Sequence, residues 1–183
     1  MGTFVGDALG MPFEGAPYDD IPVEVEMVEA RRGRGTYTDD TQMMIALAES
    51  LIERGHVDEE HIARAFQAAY DPDRGYGGGT RRVIELWAGG TPVSAAAGEI
   101  FGGQGSRGNG AAMRVAPVAV RFHEYPEQLY AEAARTARIT HAHPVGEDGA
   151  MVQAAAIGAA LPRGNVASGL RYRPRLDLRR IPG

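Results

Sequence analysis

The chain has 183 residues, 44% hydrophobic and 23% charged, a length and balance that suit one soluble domain with a single core. Its net charge of −5 argues against a broad nucleic-acid surface, and the absence of cysteine excludes disulfides and thiolate metal sites. No run of about 18 apolar residues marks a membrane span, and MGTFVGDALG lacks the basic and cleavable apolar regions of a secretory signal, so a cytoplasmic location is expected.

In chain order, the first informative stretch is GDALGMPFEG (6–15), which carries Asp7 and Glu14 between glycines. A glycine-flanked acid is usually a turn residue, and it is also a candidate for proton transfer. VEVEMVE (23–29) alternates over a few residues and reads equally well as a short helix or an extended connector. TYTDDTQ (36–42) follows, with two adjacent carboxylates between hydroxyls. Thr and Asp are favoured helix N-caps, because a side-chain oxygen accepts a hydrogen bond from an unpaired first-turn amide. One cap needs one acceptor, however, and this stretch offers Thr38, Asp39, Asp40 and Thr41. Such hard oxygens also suit Mg²⁺ or Mn²⁺, which would relieve the repulsion between adjacent acids.

A helix is expected over 41–55, with Met44, Leu47, Ala48 and Leu51 on one face and Gly55 as its stop. Residues 58–70 open with three acids, carry Ile62, Ala65, Phe66 and Ala69 at helical spacing, and end before Asp71-Pro72. A glycine run, Gly77, Gly78 and Gly79, precedes a third helix over 80–90; its glycines permit positive φ and close backbone approach, which can serve a phosphate or a plain loop. GGQGSRGNGAAMRVAPVA (102–119) repeats that pattern without the lysine of a Walker motif. Residues 110–122 are apolar enough to be a buried helix, provided Pro117 kinks it or sits in its first turn. THAHP (140–144) places His141 and His143 two apart, which is poor zinc spacing on a helix. Helices over 126–141 and 147–161 complete an all-α reading, and their alanines allow close packing. From 162 the chain changes character. Residues 1–162 carry 13 Arg against 23 acids, a balance of −10, whereas 163–183 carry 6 Arg against Asp177 alone. That tail reads as a solvated C-terminus or as a stretch foreign to the fold, such as a shifted reading frame in a GC-rich gene.

The order GDALGMPFEG, YTDDTQM, RGYGGGT, SRGNGAAMRVAPVA, THAHP, followed by an Ala-rich helix, resembles the ADP-ribosylglycohydrolase family. The resemblance covers about residues 2–161, so the domain boundary is drawn at 161, with 162–183 as an atypical tail. It implies an orthogonal multi-helix bundle and a metal-dependent hydrolase that cleaves the glycosidic bond between ADP-ribose and an acceptor, on a protein side chain or a small molecule. It further implies two divalent cations, Mg²⁺ or Mn²⁺, with Thr38, Asp39 and Asp40 as metal ligands, and Glu14 and Asp40 as the catalytic pair. Gly77, Gly78, Gly79, Ser106, Gly108, Asn109, Gly110 and His141 are implied as substrate-binding residues. Met113 and Arg114 lie in the matching motif and are expected to be structural.

The chain departs from that family in one respect. Members carry a second acidic motif of the form D-x-D-T near their C-terminal end, and here the only acid after residue 148 is Asp177. The second cation would therefore lack half its ligands, and the chain as given is expected to show little or no hydrolase activity. Apolar surface left uncovered would favour self-association. The alternative reading is a non-catalytic binder of ADP-ribose or a related nucleotide.

Overall fold

The computed structural model describes residues 2–30 and 32–161. Among these it is all helical, with no strand, as the periodicity predicts. The tail over 162–183 lies outside the described residues.

Eight α-helices follow one another: α1 Gly2–Gly10, α2 Asp39–Arg54, α3 Glu59–Ala69, α4 Gly78–Ala88, α5 Val93–Gly103, α6 Ala116–Phe122, α7 Pro126–Arg138 and α8 Pro144–Ala160. Their limits come from local chemistry. Thr38 adopts an extended conformation and its Oγ1 accepts from the amide of Asp40, which starts α2. At the other end Gly55 turns left-handed, φ +74°, and its amide returns to Leu51 O. Asp58 caps α3 by accepting from the amide of His61 at 3.0 Å, with Glu59 and Glu60 in the favourable first turn.

Two points differ from the periodicity. The stretch 110–122 is not one helix: a 3₁₀ turn, Asn109–Ala111, gives way to α6, whose first turn holds Pro117, the second of the two places expected for it. A pyrrolidine ring there lacks only an amide that has no helical partner, so the chain bends before the proline rather than at it. Helices α1 and α5 add to the expected set; GTFVGDALG and VSAAAGEIFGG lack the polar face that makes helical periodicity visible. VEVEMVE takes the connector reading rather than the helical one.

The core collects Met43, Leu47 and Leu51 from α2, Ile62 and Phe66 from α3, Val83 and Trp87 from α4, and Val118 and Phe122 from α6. Helix α7 packs on α8, burying Ala133 and Ala137 from one and Ala150 and Ala154 from the other. Small side chains allow that approach: a methyl at Gly158 of α8 would stand 3.2 Å from Leu129 Cδ2. On the opposite side the helices leave an open apolar groove of about 1180 Å³, lined by Met44, Ile52, Met113, Pro117, Val120 and Ile157 among others. Ile52 is 83% exposed there and Val120 58%.

Candidate functional site

The first turn of α2 is held by an acid from the first motif. The carboxylate of Asp7, on α1, accepts from the Thr38 amide at 3.0 Å and Thr38 Oγ1 at 2.8 Å. It also accepts from the Thr41 amide at 3.1 Å and Thr41 Oγ1 at 2.6 Å. One carboxylate thus satisfies two amides that a helix start leaves without partners. The capping explanation for TDDT is therefore correct for Thr38, and Asp7 serves Thr38 and Thr41 together. Neither role uses the side chains of Asp39 and Asp40.

Those two carboxylates are poorly placed for ionisation. Asp39 is 8% exposed, and burial first, then the charges of Asp40, Glu14 and Asp7, push its pKa up to about 7. Asp40 is half-buried and raised to about 6, by burial and then by Asp7 and Glu14. Glu14, exposed just after the 3₁₀ turn Met11–Phe13, thus belongs electrostatically to the same cluster. It shares a small cavity of about 220 Å³ with Glu29. The result is a concentration of negative charge at one end of α1 and α2.

The glycine stretches belong to the turns that precede α4 and α6. Gly77 caps α4 with φ −63°, and Gly78 and Gly79 form its first turn, so none of the three uses the positive φ that glycine permits. What they supply is bareness. A methyl at Gly77 or Gly78 would meet nothing within 4 Å, whereas one at Gly79 would stand 3.0 Å from the ring of Phe101. Phe101 itself sits at the kink of α5 with φ +52° and is 61% exposed. The second stretch begins with buried Ser106, whose Oγ accepts from the Gly108 amide at 3.1 Å, and continues through Asn109 into the 3₁₀ turn. Gly110 must be glycine because a Cβ there would stand 2.6 Å from His141 Cε1, and 3.7 Å from Thr80 Oγ1 in the first turn of α4. The two glycine stretches are therefore neighbours.

His141 lies under this loop, 3% exposed, with its Nδ1 2.8 Å from Thr140 Oγ1. Burial, and secondarily the charge of Arg114, pull its pKa down to about 3, so the imidazole is neutral at physiological pH. His143, by contrast, caps α8 by accepting from the Val145 amide. Arg114, expected to be structural, lies deep in the interior beside this loop. It is 1% exposed, and Nη1 donates to Gly110 O while Nη2 donates to Thr136 O. Although burial pulls its pKa down to about 9, it stays cationic at neutral pH, helped by Tyr76 and Asp39. Tyr76 in turn donates to Gln42 Oε1 of α2 at 2.8 Å.

Of the residues expected as metal ligands, Asp39 and Asp40 offer oxygens whose mutual repulsion a cation would relieve, whereas Thr38 Oγ1 already bonds Asp7 and the Asp40 amide. Among the described residues, no three His, Asp or Glu side chains converge as a metal cage.

The chain belongs to the ADP-ribosylglycohydrolase family, whose sequence model matches residues 1–179. The match extends past residue 161, where the resemblance had been taken to end. Similar proteins include the ADP-ribosylhydrolase ARH3 of Xenopus tropicalis, 37% identical over 172 residues, 88% of this chain and 49% of that protein. ARH3 of Danio rerio is 38% identical over 86% of this chain and 45% of its own length. The ADP-ribosyl-[dinitrogen reductase] glycohydrolase of Rhodospirillum rubrum is 33% identical over 80% and 51%. The chain spans about half the length of these curated relatives. Among the described residues no helix is long and apolar enough to cross a membrane.

Proposed function

We propose that this chain binds ADP-ribose and carries one half of the machinery that hydrolyses its glycosidic bond to an acceptor. The observation that carries this reading is the carboxylate cluster: Asp39 and Asp40 are held protonatable near neutrality beside Glu14, in a member of a glycohydrolase family. Breaking the bond at the anomeric carbon develops oxocarbenium character, which negative oxygens stabilise. Glu14, open to solvent and close enough to raise the pKa of both aspartates, would take the proton of an attacking water or assist the leaving group. Asp39 and Asp40 would hold a Mg²⁺ or Mn²⁺, with Thr38 joining them only if its hydroxyl leaves Asp7; such an ion would orient the ribose hydroxyls and polarise water. The turn from Ser106 to Gly110 and the bare start of α4 at Gly77–Gly79 would receive the diphosphate, with His141 as a neutral prop beneath. A second cation has no ligand set among the described residues, and no step is assigned to it.

Calorimetry with ADP-ribose, with and without Mg²⁺, is expected to show binding that the cation strengthens. An ADP-ribosylated arginine peptide is expected to be turned over slowly or not at all. No binding under either condition would refute the reading. Tight binding that ignores Mg²⁺, with no turnover, would favour the non-catalytic binder, and robust Mg²⁺-dependent release of ADP-ribose would show that this half suffices.

The apolar groove supports self-association as well. Val120→Glu, placing a charge at its open rim, is expected to lower the apparent mass in light scattering while leaving the melt within about 0.5 kcal/mol of wild type. An unchanged mass would show that copies do not meet through this face.

A further inference from the structure

We propose that Arg114 is a positioning residue that sets the spacing between the glycine turn and the carboxylate pair, and so fits the chain to a ligand reaching both. The inference rests on the reading that ADP-ribose lies across the two. Its basis is geometric. The guanidinium meets four elements at once: Nη1 donates to Gly110 O of the 3₁₀ turn at 3.1 Å, and Nη2 donates to Thr136 O of α7 at 3.0 Å. On its far side Nη1 lies 3.9 Å from Met43 Sδ on α2, three residues from Asp40, and Cζ stands 4.8 Å from the Phe66 ring centroid of α3.

The Gly110 carbonyl belongs to the short turn that contains Asn109 and follows Ser106 and Gly108. Because a peptide's carbonyl and amide point in opposite directions, drawing that carbonyl inward fixes which way the turn presents its amides. Among the described residues no other charged side chain is buried to that degree. A simple packing role would be met by an apolar side chain of similar volume, without the burial of a charge. A planar fork holds two carbonyls from separate elements at a fixed spacing and angle, whereas an ammonium bonds from one nitrogen whose donors rotate. Arg114 touches no open surface, so its effect on ligand must pass through Gly110 and α2.

The test uses the full chain and two variants, Arg114→Lys and Ile62→Val. Lysine keeps the charge but presents its donors from a single rotating nitrogen; valine at 62 loosens the same core at a side chain that is not part of the guanidinium's contacts. At a temperature where all three are folded, Arg114→Lys is expected to weaken ADP-ribose binding about tenfold, and Ile62→Val to leave it unchanged although its melting point falls. Equal affinity for Arg114→Lys and wild type, or loss of affinity in step with stability in both variants, would overturn the proposal. If Arg114→Lys does not fold, Arg114→Gln, which can donate to Gly110 O, takes its place under the same criteria. Should wild type bind no ADP-ribose, the functional reading fails on its own, and amide resonances decide the positioning role instead. Arg114→Lys should then shift Gly108 and Gly110 together with Asp39 and Asp40, and Ile62→Val should not; movement of one group alone overturns the proposal.

Discussion

Asp39→Asn is expected to raise the melting temperature of the cation-free protein above about pH 7 and to abolish its response to Mg²⁺. In the unfolded chain an aspartate titrates near 3.8, whereas folding pushes Asp39 up to about 7. The folded state therefore holds a proton that the unfolded state has released. The stability linked to Asp39 is complete below about pH 4 and is lost as pH rises through the folded value. Asparagine keeps the shape and removes the ionisation. Since the two aspartates share their repulsion, the gain is set at about 2 kcal/mol, or roughly 5 °C for a domain of this size. In wild type a divalent cation should remove the same penalty, so added Mg²⁺ should raise its melting point and leave the variant unmoved. Asp40 is half-buried and raised less, to about 6, so Asp40→Asn should gain less. Thermal melts across pH, with Mg²⁺ or EDTA, read all of this. A lower melting point for Asp39→Asn would show that the ionised carboxylate stabilises the fold, and the cluster would then be structural.

How much of this could be seen in the sequence differs from element to element. Helices α2 and α3 were plain because each has a capping side chain, Thr38 or Asp58, and a defined stop at Gly55 or before Pro72. Helix α5 was hidden because Ala and Gly give no contrast between faces, and its kink at Ile100, Phe101 and Gly102 blurs the end further. The stretch 110–122 misled because an apolar run has no period of its own, and only the proline hinted at a break. At the site, adjacent acids and glycine runs are local and were legible. The partners that organise them are not local. Asp7 lies 31 residues from Thr38, and Arg114 lies 71 from Met43. A one-dimensional motif gives no sign that GDALG and TDDT are hydrogen-bonded to one another. His141 shows the same limit: the family resemblance implied a substrate-binding group, and only the packing of Gly108, Gly110 and Gly146 shows how closely the backbone covers it.

Asp7 offers the sharper contrast with Asp39, because both are members of one acidic cluster and the two substitutions should act in opposite directions. If repulsion alone governed the cluster, Asp7→Asn would stabilise the fold as Asp39→Asn does, since Asp7 raises the pKa of both aspartates. The hydrogen bonds argue otherwise. The Asp7 carboxylate accepts four donors, two amides and two hydroxyls, from the first turn of α2. An asparagine presents one acceptor oxygen and turns an NH₂ group towards donors it cannot satisfy. Buried amides left without a partner cost about 1–3 kcal/mol each, and the hydroxyls can rotate to recover part of their bonding. Asp7→Asn should therefore lose about 2 kcal/mol, and Asp7→Ala, with no acceptor at all, about 3–4 kcal/mol. Denaturant melts measure the loss. Hydrogen exchange localises it, with amides of α1 and of Thr38 and Thr41 opening well before those of α7 and α8. A second readout separates charge from bonding, because removing Asp7 also removes a cause of the raised pKa at Asp40. In the Asp7 variants the Asp40 carboxyl should titrate lower even as the protein weakens. A variant that gains stability, or one in which Asp40 does not move, would show that Asp7 is not the anchor that ties the first motif to the second.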